Sequence, residues 1–190
     1  MRRVLAAVLA VMTVCLMAGC SGGGLPNKVP EKGVIVDVTK YHGVNQRTLR
    51  SMAGRPTRTS ECAMVDPDTG KLDVFHFGRG KIFGYAAEEI GGDLTYSFMV
   101  DTKEDTVMEM NVVCEKGVIP FDGESFEELL ARFGIGMGKD AEITRKRGGG
   151  LEILNASDEV YHIAIVGYYE ADGGFTSFQV LYDQEYYLAE

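Results

Sequence analysis

Apolar and polar residues alternate through Tyr96, Phe98 and Val100 and again through Met108, Met110 and Val112, with Lys103-Glu104-Asp105 between the two runs. A period of two turns one face of each run toward a core, so the pattern predicts an antiparallel hairpin. A three-residue loop sets Phe98 opposite Met110, whereas a four-residue loop would set it opposite Glu109, so the shorter loop is expected. Cys114 continues the buried phase. Similar runs predict hairpins at 61–65 with 71–77 around Asp66-Pro67-Asp68-Thr69-Gly70, at 141–146 with 151–155 around Gly148-Gly149-Gly150, and at 159–169 with 175–182 around Asp172-Gly173-Gly174. Residues 81–86 predict a further strand. Residues 34–38 predict either a first strand or an ordered arm packed on the body.

Two stretches change period. Asn45 fits a helix N-cap, with Val44 and Leu49 at the spacing of a hydrophobic staple, Leu49, Met52 and Ala53 on one face, and Gly54 with Pro56 as the stop. Ser125 and Glu128 form a capping box before the stripe Phe126, Leu129, Leu130 and Phe133, which ends at Gly134. The two stretches echo each other at a constant offset: Asn45 with Ser125, Leu49 with Leu129, Ala53 with Phe133, Gly54 with Gly134, and further on Gly70 with Gly150. Each half thus reads as a short helix followed by about four antiparallel strands. The fold class expected is α+β, two tandem units of a short helix packed on an antiparallel sheet, over 34–116 and 117–190.

The N-terminal pattern belongs to neither unit. Arg2 and Arg3 precede an apolar run from Val4 to Met17 that only Thr13 and Cys15 interrupt, and Met17-Ala18-Gly19-Cys20 closes it with small residues. That is the layout of a secretory signal. As a helix the run would reach roughly 21 Å, too short for a hydrocarbon core of about 30 Å. The junction Leu16-Met17-Ala18-Gly19-Cys20 resembles the bacterial lipobox and departs from it at Met17, where Leu, Val or Ile is usual. The resemblance implies cleavage after residue 19 and acylation of Cys20, palmitate included, which would hold the protein on a membrane without a spanning helix. Residues 20–33, with Gly22-Gly23-Gly24, Pro26 and Pro30, then form a flexible tether whose reach is on the order of 20 Å.

Charge narrows the functional classes. Of 19 Lys plus Arg, Arg2 and Arg3 leave with the signal, so 17 remain against 28 Asp plus Glu, a formal −11 for the mature chain. So acidic a body opposes nucleic-acid binding. Cys15 and Cys20 belong to the leader and the lipid site, which leaves Cys62 and Cys114 as either a disulfide or two unrelated buried thiols. A bridge closing about 50 residues would stabilise by roughly 4 kcal/mol in the chain-entropy account.

Candidate chemistry is sparse. His42, His76 and His162 lack second ligands at metal spacing, so neither a metal nor a cofactor is expected. No serine sits in a nucleophile elbow, and the glycine-rich turns lack complete phosphate-loop spacing. Two basic clusters stand out in the acidic chain: Arg47, Arg50, Arg55 and Arg58, and Arg145-Lys146-Arg147. Tyr168, Tyr169, Tyr182, Tyr186 and Tyr187 gather near the C-terminal end, where rigid amphipathic rings suit a partner surface as well as strands.

Val44–Thr57, with Leu49 and the stop Gly54-Arg55-Pro56-Thr57, resembles the "leucine, then Gly-Lys-Pro-Thr" element of small bacterial lipoproteins of the barrel-assembly accessory type. A tandem of such units is similar to the beta-lactamase inhibitory protein architecture, in which two helix-plus-sheet repeats present a sheet to a protein partner. The likeness covers about fourteen residues, and the second copy departs from it at Ile135-Gly136. It implies a non-enzymatic protein-binding module held by its lipid on the extracytoplasmic face of the cell membrane or outer membrane. It transfers no binding residues. Two alternatives stay open: an envelope enzyme whose site assembles only in space, and a carrier of a small ligand or lipid.

Overall fold

A computed structural model of the chain describes residues 25–26, 28–30, 32–63, 79–85, 93–115, 117, 119–120, 125–146, 150–167 and 174–186. Its strands are β1 (Arg58–Ala63), β2 (Arg79–Tyr85), β3 (Leu94–Asp101), β4 (Thr106–Cys114), β5 (Ile119–Pro120), β6 (Glu142–Lys146), β7 (Gly150–Leu154), β8 (His162–Val166), β9 (Gly174–Phe175) and β10 (Ser177–Leu181). The helices are α1 (Gln46–Ala53) and α2 (Phe126–Ala131), with 3-10 turns at Val38–Tyr41 and Gln184–Tyr186.

Eight strands form one antiparallel sheet in the order β1-β2-β3-β4-β10-β8-β7-β6, while β5 and β9 pair apart from it. This corrects the expected two tandem helix-plus-sheet units. Strand β10 pairs with β4 from Ser177↔Val113 to Leu181↔Glu109, so the strands of both halves join a single sheet. Phe83, Phe98 and Met110 from one half share a core with Phe133, Ile163 and Phe178 from the other. Alternation marks the two faces of a strand but says nothing about which strand will take its free edge.

The helix ends form as their residues dictate. Asn45 is extended and its Oδ1 accepts the Thr48 N–H at 2.8 Å, Leu49 and Ala53 turn inward, and Gly54 ends α1 at φ 86°. Ser125 Oγ likewise accepts the Glu128 N–H at 3.3 Å, and Leu129 and Leu130 are buried. Gly134 follows α2 at φ 75°, where an added Cβ would stand 2.5 Å from Asp37 Oδ1. Only glycine lets residues 35–38 pass this close.

Residues 34–38 are the arm of the two readings, not the strand. The Ile35 N–H donates to Arg132 O at 2.6 Å and the Val38 N–H to Phe133 O at 2.9 Å, and Ile35, Val36, Val38 and Tyr41 are buried. The β3–β4 hairpin combines the two loops weighed for it. Phe98 does face Met110, yet the connection is Thr102–Asp105, four residues, because a bulge after Met99 shifts the register to Val100↔Val107. The hairpin expected over 61–65 and 71–77 lies largely outside the described residues; β1 pairs with β2 from Arg58↔Gly84 to Ala63↔Arg79.

Candidate functional site

The sheet has two unlike faces. Inward residues, among them Phe98, Val112, Phe178 and Ile163, meet α1, α2 and the arm, and the rings of Phe133 and Phe178 stack at 3.6 Å. Across the opposite face, paired positions form an unbroken row: Arg58, Gly84, Ser97, Asn111, Gln179, Ala164, Glu152 and Thr144. The row is polar or small throughout. None of its members is fully buried except Gly84.

An open groove of about 710 Å³ runs over one side of this face, lined by Arg58, Gly84, Thr95, Ser97, Asn111 and Glu115 among others. Its polar groups are aimed by local bonds. Ser177 Oγ donates to Asn111 Oδ1 at 2.8 Å, and Thr95 Oγ1 donates to Glu115 Oε1 at 3.0 Å. Glu109, one row away, hydrogen-bonds Gln179, and burial holds its carboxyl above the usual range against that bond. Toward β6, Lys146 Nζ stands 2.9 Å from Glu152 Oε2. Burial lowers the nearby His162, opposed by Glu152 and reinforced by Lys146. Such a surface offers donors, acceptors and shallow relief, the ingredients of a contact face.

The residues singled out from the sequence scatter. Cys20, His76, Tyr168, Tyr169 and Tyr187 lie outside the described residues. Tyr182 is not a partner surface: it is 3% exposed, and its hydroxyl donates to Val38 O at 2.8 Å, which locks the arm to the core. Burial, above all, pushes its phenol well up. Tyr186 is half-buried, and its hydroxyl bonds Asp101 Oδ2 at 3.1 Å. His42 stacks on Tyr182 with ring centres 5.6 Å apart and lies 3.3 Å from Asp183 Oδ1.

The register does not allow a Cys62–Cys114 bridge. Cys62 pairs with Gly80, and that row continues through Asp101 to Thr106, while buried Cys114 sits opposite Leu94 at the other end of β4. The span from Thr106 to Cys114 is roughly 25 Å at the rise of a strand. A disulfide needs Cα atoms within about 7 Å. Among the described residues, no three His, Cys, Asp or Glu side chains gather as metal ligands.

Ser97, Asn111, Ser177 and Gln179 were not singled out from the sequence. The signal was present in the polar phase of the same alternation that marked Phe98, Met110 and Phe178 as core.

No family model and no curated protein matches the sequence. Among solved structures, the chain is similar to an extracellular protein containing an SCP domain from Bacillus anthracis, at 16% identity and a TM-score of 0.39, over 83% of this chain and 48% of that one. It is also similar to a cysteine-rich secretory protein from Staphylococcus aureus, at 14% identity and a TM-score of 0.39, over 88% of this chain and 53% of that one. The chain spans about half the length of each. Overlaps this loose carry no argument about fold or function.

Proposed function

We propose that the protein is a non-enzymatic, lipid-anchored module of the bacterial cell envelope that holds a protein partner on the open face of its sheet. The carrying observation is the eight-position row from Arg58 to Thr144, polar or small at every step, beside a groove and opposite a face filled by core residues. Side chains of this kind give hydrogen-bonded complementarity without a large apolar patch that would aggregate a free monomer. The leader supports the address: a basic start, an apolar run too short to span, and a lipobox-like junction at Cys20. An extracytoplasmic position follows from that leader, and acylation of Cys20 is the finer part of the same reading.

The test is photocrosslinking in the native host. A photoreactive residue at Ser97 should capture one envelope protein reproducibly, and the same probe at Glu104, on the β3–β4 turn, should not. Equal capture from both positions would sink the sheet-face reading. Mass analysis of the N-terminal peptide tests the anchor separately, since acylation at Cys20 is the expected result and cleavage elsewhere contradicts it.

A further inference from the structure

Arg47, Arg50, Arg55 and Arg58 fall within Val44–Ser60, a stretch with no acidic residue, in a chain of formal charge −9. All four are exposed. Two grooves beside α1 meet at Arg50: Gln46, Arg47, Thr102 and Asp105 line one, and Gly54, Arg55, Pro56 and Thr59 line the other. The Arg50 guanidinium lies 5.4 Å from the ring centre of Phe83, and Arg58 borders the groove of the open face. The arginines thus run as a basic border from the Thr102–Asp105 turn along α1 to the start of β1.

Two tyrosines fix where the N-terminal tether meets that border. Tyr85 and Tyr96 are paired across β2 and β3. The Tyr85 hydroxyl donates to Gly54 O at 3.4 Å, and the Tyr96 hydroxyl donates to Pro26 O at 2.5 Å. This corrects the tether expected over 20–33: Pro26, Val29 and Pro30 are already bonded to the body, and Arg55 and Arg58 stand beside the point where the chain first meets it. Of the carboxylates at this end of β3 and β4, Asp93 accepts from the Val29 N–H at 3.2 Å and Glu115 from Thr95 Oγ1 at 3.0 Å, while Asp105 lines the groove of Arg47 and Arg50 at the other end of α1. The connection 86–92, outside the described residues, adds Glu88 and Glu89 to the sequence between β2 and β3.

We propose that Arg55 and Arg58, backed by Arg50, dock this end of the protein on anionic phospholipid head groups. The proposal rests on the lipid-anchor reading above and adds an orientation to it. The acyl chains hold the protein at the bilayer, and the few residues between Cys20 and Pro26 keep the basic border within reach of it. Guanidinium groups bind phosphate oxygens through paired hydrogen bonds, which suits them to head groups better than lysine. At an anionic surface each arginine shifts the ratio of docked to swinging molecules roughly fivefold. The rest of the acidic body is repelled, so docking tips the sheet in one sense only.

The chain contains no tryptophan, so T59W, beside the border, becomes the sole indole and is excited selectively over the tyrosines. The acylated protein is reconstituted in vesicles of phosphatidylcholine alone or mixed with phosphatidylglycerol, each doped with brominated lipid. Docking predicts that T59W is quenched only in the mixed vesicles and that the response is lost in high salt. It predicts loss in R55Q/R58Q at unchanged melting temperature, while E142W on β6, at the opposite edge of the sheet, stays bright throughout. Equal quenching in both vesicles, or none in either, overturns the proposal. So does a T59W response to soluble polyglutamate with none to phosphatidylglycerol, which would assign the border to an acidic protein instead. Flotation on phosphatidylcholine alone reports the acyl anchor: failure to float overturns that reading together with the proposal, whereas floating without a phosphatidylglycerol-dependent response overturns the proposal only.

Discussion

The two faces of the sheet use the same strands for opposite purposes. On the inward face Phe98, Met110, Phe178 and Ile163 are each wholly buried and carry the stability of the molecule. On the outward face Ser97, Asn111, Gln179 and Ala164 sit beside them in the chain and are only half-buried. The difference teaches that one alternating pattern encodes both a core and a surface, and that the polar half of the pattern deserves as close a reading as the apolar half. A period of two cannot favour one without fixing the other.

Five changes break or sharpen that contrast. The largest effect belongs to the inward face: Phe178→Ala removes the ring stacked on Phe133 and should destabilise by about 3–5 kcal/mol in urea unfolding. Tyr182→Phe keeps the ring but leaves the Val38 carbonyl without its buried donor, for a loss of about 1–3 kcal/mol. Equal stability of this variant and the parent would show that the arm is held by its packing and its backbone bonds to Arg132 and Phe133 without this hydroxyl.

The titratable groups of the outward face make a smaller, pH-dependent contribution. Burial lowers His162, so below its ordinary 6.5 the unfolded chain takes up a proton that the folded chain resists, and stability falls with falling pH. His162→Gln should flatten the melting curve across that window. Glu109 has the opposite sign: burial raises its carboxyl above the ordinary 4.5, so the folded chain keeps its proton longer and stability is lost as pH rises past that value. Glu109→Gln should therefore raise the melting temperature at neutral pH, where a fall would show the carboxylate to be well compensated. The smallest structural effect is expected from Ser97→Arg, within about 0.5 kcal/mol of the parent. This variant should nevertheless abolish partner capture, and intact capture would remove the outward face from the binding account.

Local chemistry was legible in the sequence. Asn45 and Ser125 cap the helices expected of them, Gly54 and Gly134 take the positive φ that their stops imply, and the β6–β7 hairpin pairs where Gly148-Gly149-Gly150 sets it. What failed was long-range. The meeting of β4 with β10 joins residues some seventy positions apart by backbone hydrogen bonds, which leave no trace in side-chain spacing. Tyr182 looked like surface because tyrosine suits both a rim and a core, and only the Val38 carbonyl decides between them. The cysteines looked like a pair because they were two, while the register carries their backbones to opposite ends of the sheet.

The arm has a mechanical meaning. Its Ile35 and Val38 amides are bonded to the residues just after α2, its Val38 carbonyl to Tyr182, and its apolar side chains are sunk among the aromatic rings. A load that passes the contacts of Pro26, Val29 and Pro30 and reaches the arm enters at the centre of the molecule and not at a peripheral strand. To pull the arm loose is to unfold the domain, so the body would rupture as a unit before it frayed.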